Sequence, residues 1–311
     1  MFEAFANVWT VVGPSAGLKA GALQPIMIAG ERIVLFRDAS GEPAALLDRC
    51  PHRGAALSLG RLRDGEVECP FHGWRFDGAG RNCGVPWNPE AKLDTLSANP
   101  LPIREIGGLL WVYTGPTAAG EPPDLATLRE PRIRVTVQEE TWAAHWTRAM
   151  ENMLDVPHLP FVHGATIGRG MRASTGSRMD VRWVPHDGGA AIESAIGETR
   201  TARLNYLYPN AMELVIDPPG RMLRILAVCL PVGPRETRMI FVTMRDFARL
   251  RAADPLFRWS NRRIAKEDRA IIESSDPPEV PPPSAERSVR TDAPTLAFRK
   301  LYFERLKGSS A

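Results

Sequence analysis

The sequence predicts an α+β chain of two domains, an antiparallel β domain followed by one that combines an antiparallel sheet with helices. Three observations carry this. Short apolar, strand-like segments separated by turn signals fill the first third; residues 180–247 alternate like a meander; amphipathic helical segments flank that meander on both sides. A chain of 311 residues can bury two hydrophobic cores, and 44% hydrophobic with 24% charged residues is a globular balance.

The segment "PIMIAGERIVLFRD" pairs two apolar runs across a Gly-Glu turn, with "GEPAALLDRC" and later "GLLWVYTG" as further strands. Turns are signalled by "RDG", "FDGAG" and "GVPWNPE". The Pro-, Gly- and Ala-rich "VYTGPTAAGEPPDLATLREPR" marks the domain boundary, which divides the chain into residues 1–116 and 117–311. A strand-like "RIRVTVQEETWAA" follows, then a helix expected from about Thr141 to the first proline, Pro157. Trp142, Trp146, Ala149, Met150 and Met153 share one stripe of it and read as core. After the meander, "FRWSNRRIAKEDRAIIESS" is the last long helix, and the prolines of "DPPEVPPPSAE" open a tail without regular structure. There is no internal repeat. The Gly-rich "GRGMRASTG" neither follows a strand nor opens a βαβ unit, which argues against a nucleotide-binding loop.

A formal charge of +3 is too small to suggest nucleic acid or an anionic membrane surface as partner. The N-terminus has no basic region and no sustained apolar run, and no apolar stretch approaches the roughly 20 residues of a spanning helix. Four cysteines do not form a disulfide framework. The expectation is a soluble, cytoplasmic protein in a reducing compartment.

Two constellations carry chemistry. In "CPHRGAALSLGRLRDGEVECPFHGW", Cys50, His52, Cys69 and His72 form C-x-H and, sixteen residues on, C-x-x-H. Two thiolates and two imidazoles suit a structural zinc ion, and equally a [2Fe–2S] centre with two histidines on one iron and two cysteines on the other. Zinc fingers pair like with like along the chain, whereas here each loop supplies one sulfur and one nitrogen. Cys83 and Cys229 match no ligand spacing and read as idle thiols. In the second constellation, "ENMLDVPHLPFVH", His158 and His163 would stand about 140° apart on an unbroken helix, too far to share an ion comfortably. Pro157 and Pro160 interrupt the helix and let the two rings converge. Two histidines and a carboxylate with open positions describe the facial triad of non-haem Fe(II) oxygenases. Asp155 is the nearest carboxylate. On the last long helix Asp268 competes, lying on an apolar face defined by Ile264, Ile271 and Ile272, where an acid is costly unless paired or bound to metal; Glu267 lies at the edge of that face. His145 falls on the apolar side of the helix before the motif and reads as packed, and His186, in a turn, as solvent-exposed.

With "CPHRG" and "CPFHGW" intact and D-x-x-H-x₄-H downstream, the chain resembles the Rieske non-haem iron oxygenases, the superfamily of aromatic-ring-hydroxylating dioxygenase α-subunits, over nearly its whole length. The resemblance implies a Rieske [2Fe–2S] domain and a helix-grip (START-like) catalytic domain. It implies Cys50, His52, Cys69 and His72 as cluster ligands and His158, His163 and Asp268 as ligands of a mononuclear Fe(II). Asp155 would then bridge electrons to a neighbouring subunit's cluster, in a head-to-tail homotrimer, with Asn152 near the iron. NAD(P)H would act indirectly, through a partner reductase or ferredoxin, since no dinucleotide fingerprint is present. Short chains of this kind resemble the monooxygenase and demethylase branch, in the style of vanillate O-demethylase and dicamba monooxygenase. The expected reaction is therefore O₂-dependent hydroxylation or oxidative demethylation of a small apolar, aromatic or polycyclic substrate. Ring cis-dihydroxylation is the alternative; a pure Rieske electron carrier or a zinc-bound interaction module would leave the last two thirds of the chain without a role. By position, "RLNYLYPNAMELVI" and "RMLRILAVCLPV" are expected to line the pocket and "ATIGRGMRASTGSR" to cover it.

Overall fold

The strand-like segments of the first third form ten short strands. They are β1 (Trp9–Pro14), β2 (Gln24–Ile28), β3 (Glu31–Arg37), β4 (Pro43–Leu47) and β5 (Arg61–Arg63), then β6 (Glu66–Glu68), β7 (Arg75–Phe76), β8 (Asn82–Gly84), β9 (Ile103–Ile106) and β10 (Leu109–Tyr113). In the computed structural model, which describes residues 1–308, the chain divides into two compact units between Pro122 and Pro123. The N-terminal unit holds three small antiparallel sheets, ordered β1-β10-β9, β2-β3-β4 and β5-β6-β7-β8. Its core is mainly apolar, with Ile33, Val34, Leu35 and Phe36 of β3 all fully buried.

In the second unit, β11 (Arg134–Trp142) precedes α1 (Trp146–Leu154) and α2 (Leu159–Val162). The meander is β12 (Met179–His186), β13 (Gly189–Ile196), β14 (Thr199–Leu207), β15 (Ala211–Val215), β16 (Leu223–Gly233) and β17 (Glu236–Arg245). Two helices close the unit, α3 (Asp254–Ile272) and α4 (Ala293–Leu301), the latter running on as a π-helical turn over Tyr302–Lys307. The seven strands form one antiparallel sheet in the order β11-β17-β16-β15-β14-β13-β12, so only β11 crosses over to join the far edge of the meander. Register sets one apolar row across it: Tyr206 faces Met212, Met212 faces Ala227 and Ala227 faces Phe241. A second row runs from Leu204 through Leu214 to Ile225. α1 is buried on every side, packed on the sheet and against α3 and α4.

Two sequence expectations need correction. The helix expected from Thr141 begins at Trp146: β11 pairs with β17 as far as Trp142, and His145 is the N-cap, its side chain accepting the Thr147 N–H, rather than a residue of the helix. Strand pairing overrides the helical stripe there, although all five stripe residues are buried as core. The tail is irregular only to Asp292. Its prolines allow a 3₁₀ turn at Pro283–Ala285, and α4 then takes Pro294 into its first turn, where a missing N–H costs nothing. Phe298, Tyr302 and Leu306, four residues apart, are buried from it.

Candidate metal centres

The four donors of the N-terminal unit sit on two loops of one design, one after β4 and one between β6 and β7. In each, the cysteine N–H donates to a carbonyl five residues on, Cys50 to Ala55 and Cys69 to Trp74, both at 2.8 Å. In each, a glycine N–H returns to the cysteine carbonyl, Gly54 to Cys50 at 2.9 Å and Gly73 to Cys69 at 3.0 Å. Both glycines have positive φ, +74° and +72°, which is why a glycine closes each motif. Cys50 and Cys69 are buried in an apolar cluster with Phe36, Leu46, Leu57 and Phe76, while His52 and His72 are exposed. The histidine Nδ1 atoms face each other at 3.2 Å, near the roughly 3.4 Å that two nitrogens take on one tetrahedral ion. Trp74 stacks on His52 with ring centroids 4.6 Å apart and planes at 6°. Thiolates inside and imidazoles outside is the asymmetry a cluster with His₂ on its outer iron requires. Among the described residues, the only group of three or more such side chains that closes on a single ion lies elsewhere, which disfavours zinc here.

That group is His158, His163 and Asp268, whose donor atoms all lie within 4.8 Å of one another. α1 ends at Leu154, and Asp155 leaves helical space at φ −85°, ψ 131°. Val156 precedes Pro157, which disfavours another helical turn. Pro160 does not break a helix; it sits in the first turn of α2, where proline is tolerated. His158 caps the start of that single turn and His163 its end, so their rings converge with centroids 5.2 Å apart. From α3, Asp268 Oδ1 comes to 3.0 Å from His163 Nε2 and 3.6 Å from His158 Nε2. The buried stripe of α3 is Ala265, Asp268 and Ile272; Ile271, assigned to it from the sequence, is 52% exposed because the stripe centres closer to Ala265.

The hydrogen bonds assign the tautomers. Asp155 Oδ2 lies 3.2 Å from His158 Nδ1, and Glu267 Oε2 lies 2.8 Å from His163 Nδ1. A carboxylate only accepts, so both Nδ1 atoms carry the proton and both Nε2 atoms turn a lone pair toward Asp268. Asp268 Oδ1 is buried and accepts no hydrogen bond. Although His163 Nε2 is close enough for one, it has no proton to give in this tautomer. Three lone pairs meeting at a buried point call for a cation, and two imidazoles with a carboxylate fit ferrous iron. A proton competes with a cation for His163 Nε2: burial opposes a charge on the ring, but its contacts to Asp268 and Glu267 outweigh that and hold its pKa above the ordinary value.

Glu267 is the site contact to which the sequence reading gave no role. It orients His163 and also accepts the Thr166 hydroxyl at 2.8 Å, as Asp155 orients His158. Asn152, on α1, is 9% exposed and its Nδ2 has no partner. His145 is half-buried, with burial pulling its pKa down to about 4, and His186 is exposed and bonded to Asn205 at 2.8 Å. Burial raises the Cys83 thiol to about 11 and the Cys229 thiol further, and neither joins a donor group.

Beside His158 opens a cavity of about 370 Å³, walled by Met153, Leu204, Met212 and Leu214, with Ile167 and Met171 arriving from the segment after α2. An apolar extension of about 90 Å³ runs between the sheet and α3, past Ile225, Ala227 and Phe241.

The chain is similar to known proteins in both units. Residues 8–98 match the Rieske [2Fe-2S] domain, and residues 142–307, more than half of the chain, match the vanillate O-demethylase oxygenase C-terminal domain. The chain belongs to the Rieske non-haem iron oxygenases. Chlorophyllide a oxygenase of Chlamydomonas reinhardtii is 30% identical over 79% of this chain and 39% of its own length. The 5,5'-dehydrodivanillate O-demethylase oxygenase subunit of a Sphingobium species is 30% identical over 57% of this chain and 42% of its own. The chain thus spans about two fifths of these relatives' lengths. The solved structure of NdmA from Pseudomonas putida CBB5 superposes with a TM-score of 0.82 at 24% identity, covering 96% of this chain and 89% of that one, which shows the fold. No helix among the described residues is long and apolar enough to cross a membrane.

Proposed function

We propose that this chain is the terminal oxygenase of a multicomponent system that hydroxylates or oxidatively demethylates a small, mainly apolar ring compound. The observation that carries this is the meeting of His158, His163 and Asp268 beside a substrate-sized apolar cavity, in a chain that also holds the four donors of a Rieske cluster. The cluster would be held by Cys50, His52, Cys69 and His72, and the iron by His158, His163 and Asp268. When bound, the cluster supplies single electrons and the iron an open position for O₂. Asp155 and Glu267 keep the Nδ1 protons and thereby leave Nε2 basic. The apolar walls exclude water and hold the substrate against the site. One atom of O₂ enters a C–H bond and the other leaves as water, with two protons and two electrons that originate in NAD(P)H and arrive through a reductase or ferredoxin. On a methoxy group the product is a hemiacetal that falls apart to an alcohol and formaldehyde.

Asp155 retains an exposed edge, its side chain 27% accessible, which supports a bridging contact to a second copy in a cytoplasmic homotrimer. The test is substrate-dependent O₂ uptake with a surrogate reductase on methylated and polycyclic ring compounds. Formaldehyde or an alcohol is the expected product; a cis-diol would reassign the enzyme to ring dihydroxylation. Asp268→Ala should lose mononuclear iron and activity while keeping the cluster's absorbance. If iron survives that change and is lost in Asp155→Ala, Asp155 is the ligand instead.

A further inference from the structure

Resting on the oxygenase reading, we propose that the substrate is uncharged and presents an oxygen acceptor to the side-chain amide of Asn152. The cavity beside His158 is lined by two ionisable residues, His158 itself and Asp155, and among the described side chains no lysine or arginine reaches it. Its extension under α3 adds no charge. A carboxylate substrate would therefore be desolvated with no cation among the described side chains to receive it. Asp155 lines the cavity, and Glu267 and Asp268 stand behind it against His163; these three carboxylates outnumber the two charges a ferrous ion would bring, so the local field also disfavours an anion.

Among the lining side chains described, one buried donor is left free to recognise an acceptor. The Thr201 hydroxyl is already bonded to Ser194 at 2.7 Å, and Asn261 in the extension donates to the Thr243 hydroxyl at 2.8 Å. Asn152 is more than nine-tenths buried, lines the cavity, and has an Nδ2 without a partner. A buried donor left unpaired is costly, and an acceptor on the ligand removes that cost. A cavity of about 370 Å³ is more than twice the roughly 150 Å³ that holds a benzene, which suits a two-ring molecule.

Three matched probes, titrated calorimetrically under nitrogen into protein carrying both metal centres, test this: 6-methoxy-2-acetylnaphthalene, 6-methoxy-2-naphthoate and 2-methoxy-6-methylnaphthalene. The ketone should bind at least about tenfold more tightly than either of the others, a difference of about 1.4 kcal/mol. Asn152→Leu should bring the ketone down to the level of the methyl compound. Equal or tighter binding of the naphthoate overturns the neutral class. Equal binding of ketone and methyl compound by the parent protein overturns the role of Asn152 without reference to the variant's folding. Failure of all three to bind overturns both. The oxygenase reading is scored separately by O₂ uptake: turnover of the naphthoate keeps the oxygenase and refutes the class, whereas preferential ketone binding with no uptake on any probe refutes the oxygenase and keeps the class.

Discussion

Glu267 and Asp268 are neighbours on α3 with opposite duties. Asp268 turns an oxygen without a hydrogen bond into the site, while Glu267 reaches sideways to hold His163 Nδ1. Glu267 is a positioning residue, so its removal should act through the metal. Glu267→Ala is expected to weaken ferrous or cobaltous binding about 10- to 100-fold, and Glu267→Gln, which keeps an acceptor oxygen, by less. The check is a metal titration followed by the visible spectrum of the cobalt form, whose bands report ligand geometry; unchanged affinity and bands in Glu267→Ala would remove the assignment. Asp268 stood out in the sequence because a carboxylate on the apolar face of an amphipathic helix violates the pattern around it, and the fold brings it to the two histidines. Glu267 did not stand out. It lies at the edge of that face, where an acid is unremarkable, and its partner is 104 residues away.

At the scale of elements, the break after α1 was legible in its place and only half legible in its mechanism. Both prolines were read as interruptions, but Pro157 ends one helix and Pro160 starts the next, a difference that depends on position within a turn. The start of α1 was misread for a related reason: Trp142 fits the helical stripe, yet pairing with Thr237 in the sheet decides its conformation. α3, which carries Asp268, is anchored at its other end. Asp254, in its first turn, is paired with Arg134 and with Arg245, whose side chain is fully buried. Asp254→Ala would leave Arg245 buried and unpaired, with an expected loss of about 3–5 kcal/mol at neutral pH. Arg134 foremost, then Arg245, hold the Asp254 pKa down to about 2 against the opposing effect of burial. A carboxylate whose folded pKa lies below its unfolded value stabilises the fold above that unfolded value, 3.8, and stops doing so as the pH falls through about 2. The gap in urea midpoint between parent and Asp254→Ala should therefore be constant from pH 7 to about pH 5 and narrow below pH 4. A gap that stays constant into acid would mean the loss comes from packing and not from charge.

At the scale of the whole molecule, each unit contains the donors for one redox centre and neither contains both. Each proposed centre announces itself in a short motif, whereas the assembly that would link them leaves no local pattern to read. In the proposed homotrimer, Asp155 of one chain meets the cluster histidines of the next, so a chain with a dead cluster needs only a neighbour whose cluster works. Cys50→Ser, which removes a buried cluster thiolate, and Asp268→Ala, which removes an iron ligand, should each be inactive alone. Co-expressed under separate tags and purified through both, the mixed oligomers should recover a substantial fraction of parent activity, because some interfaces join an intact cluster to an intact iron site. Asp155→Asn placed in the Cys50→Ser chain, the one whose iron site is used, should abolish the recovery; placed in the Asp268→Ala chain it should not. Mixed oligomers without activity, although each chain carries its surviving metal centre, would place the working partnership within one chain and remove the bridging role from Asp155.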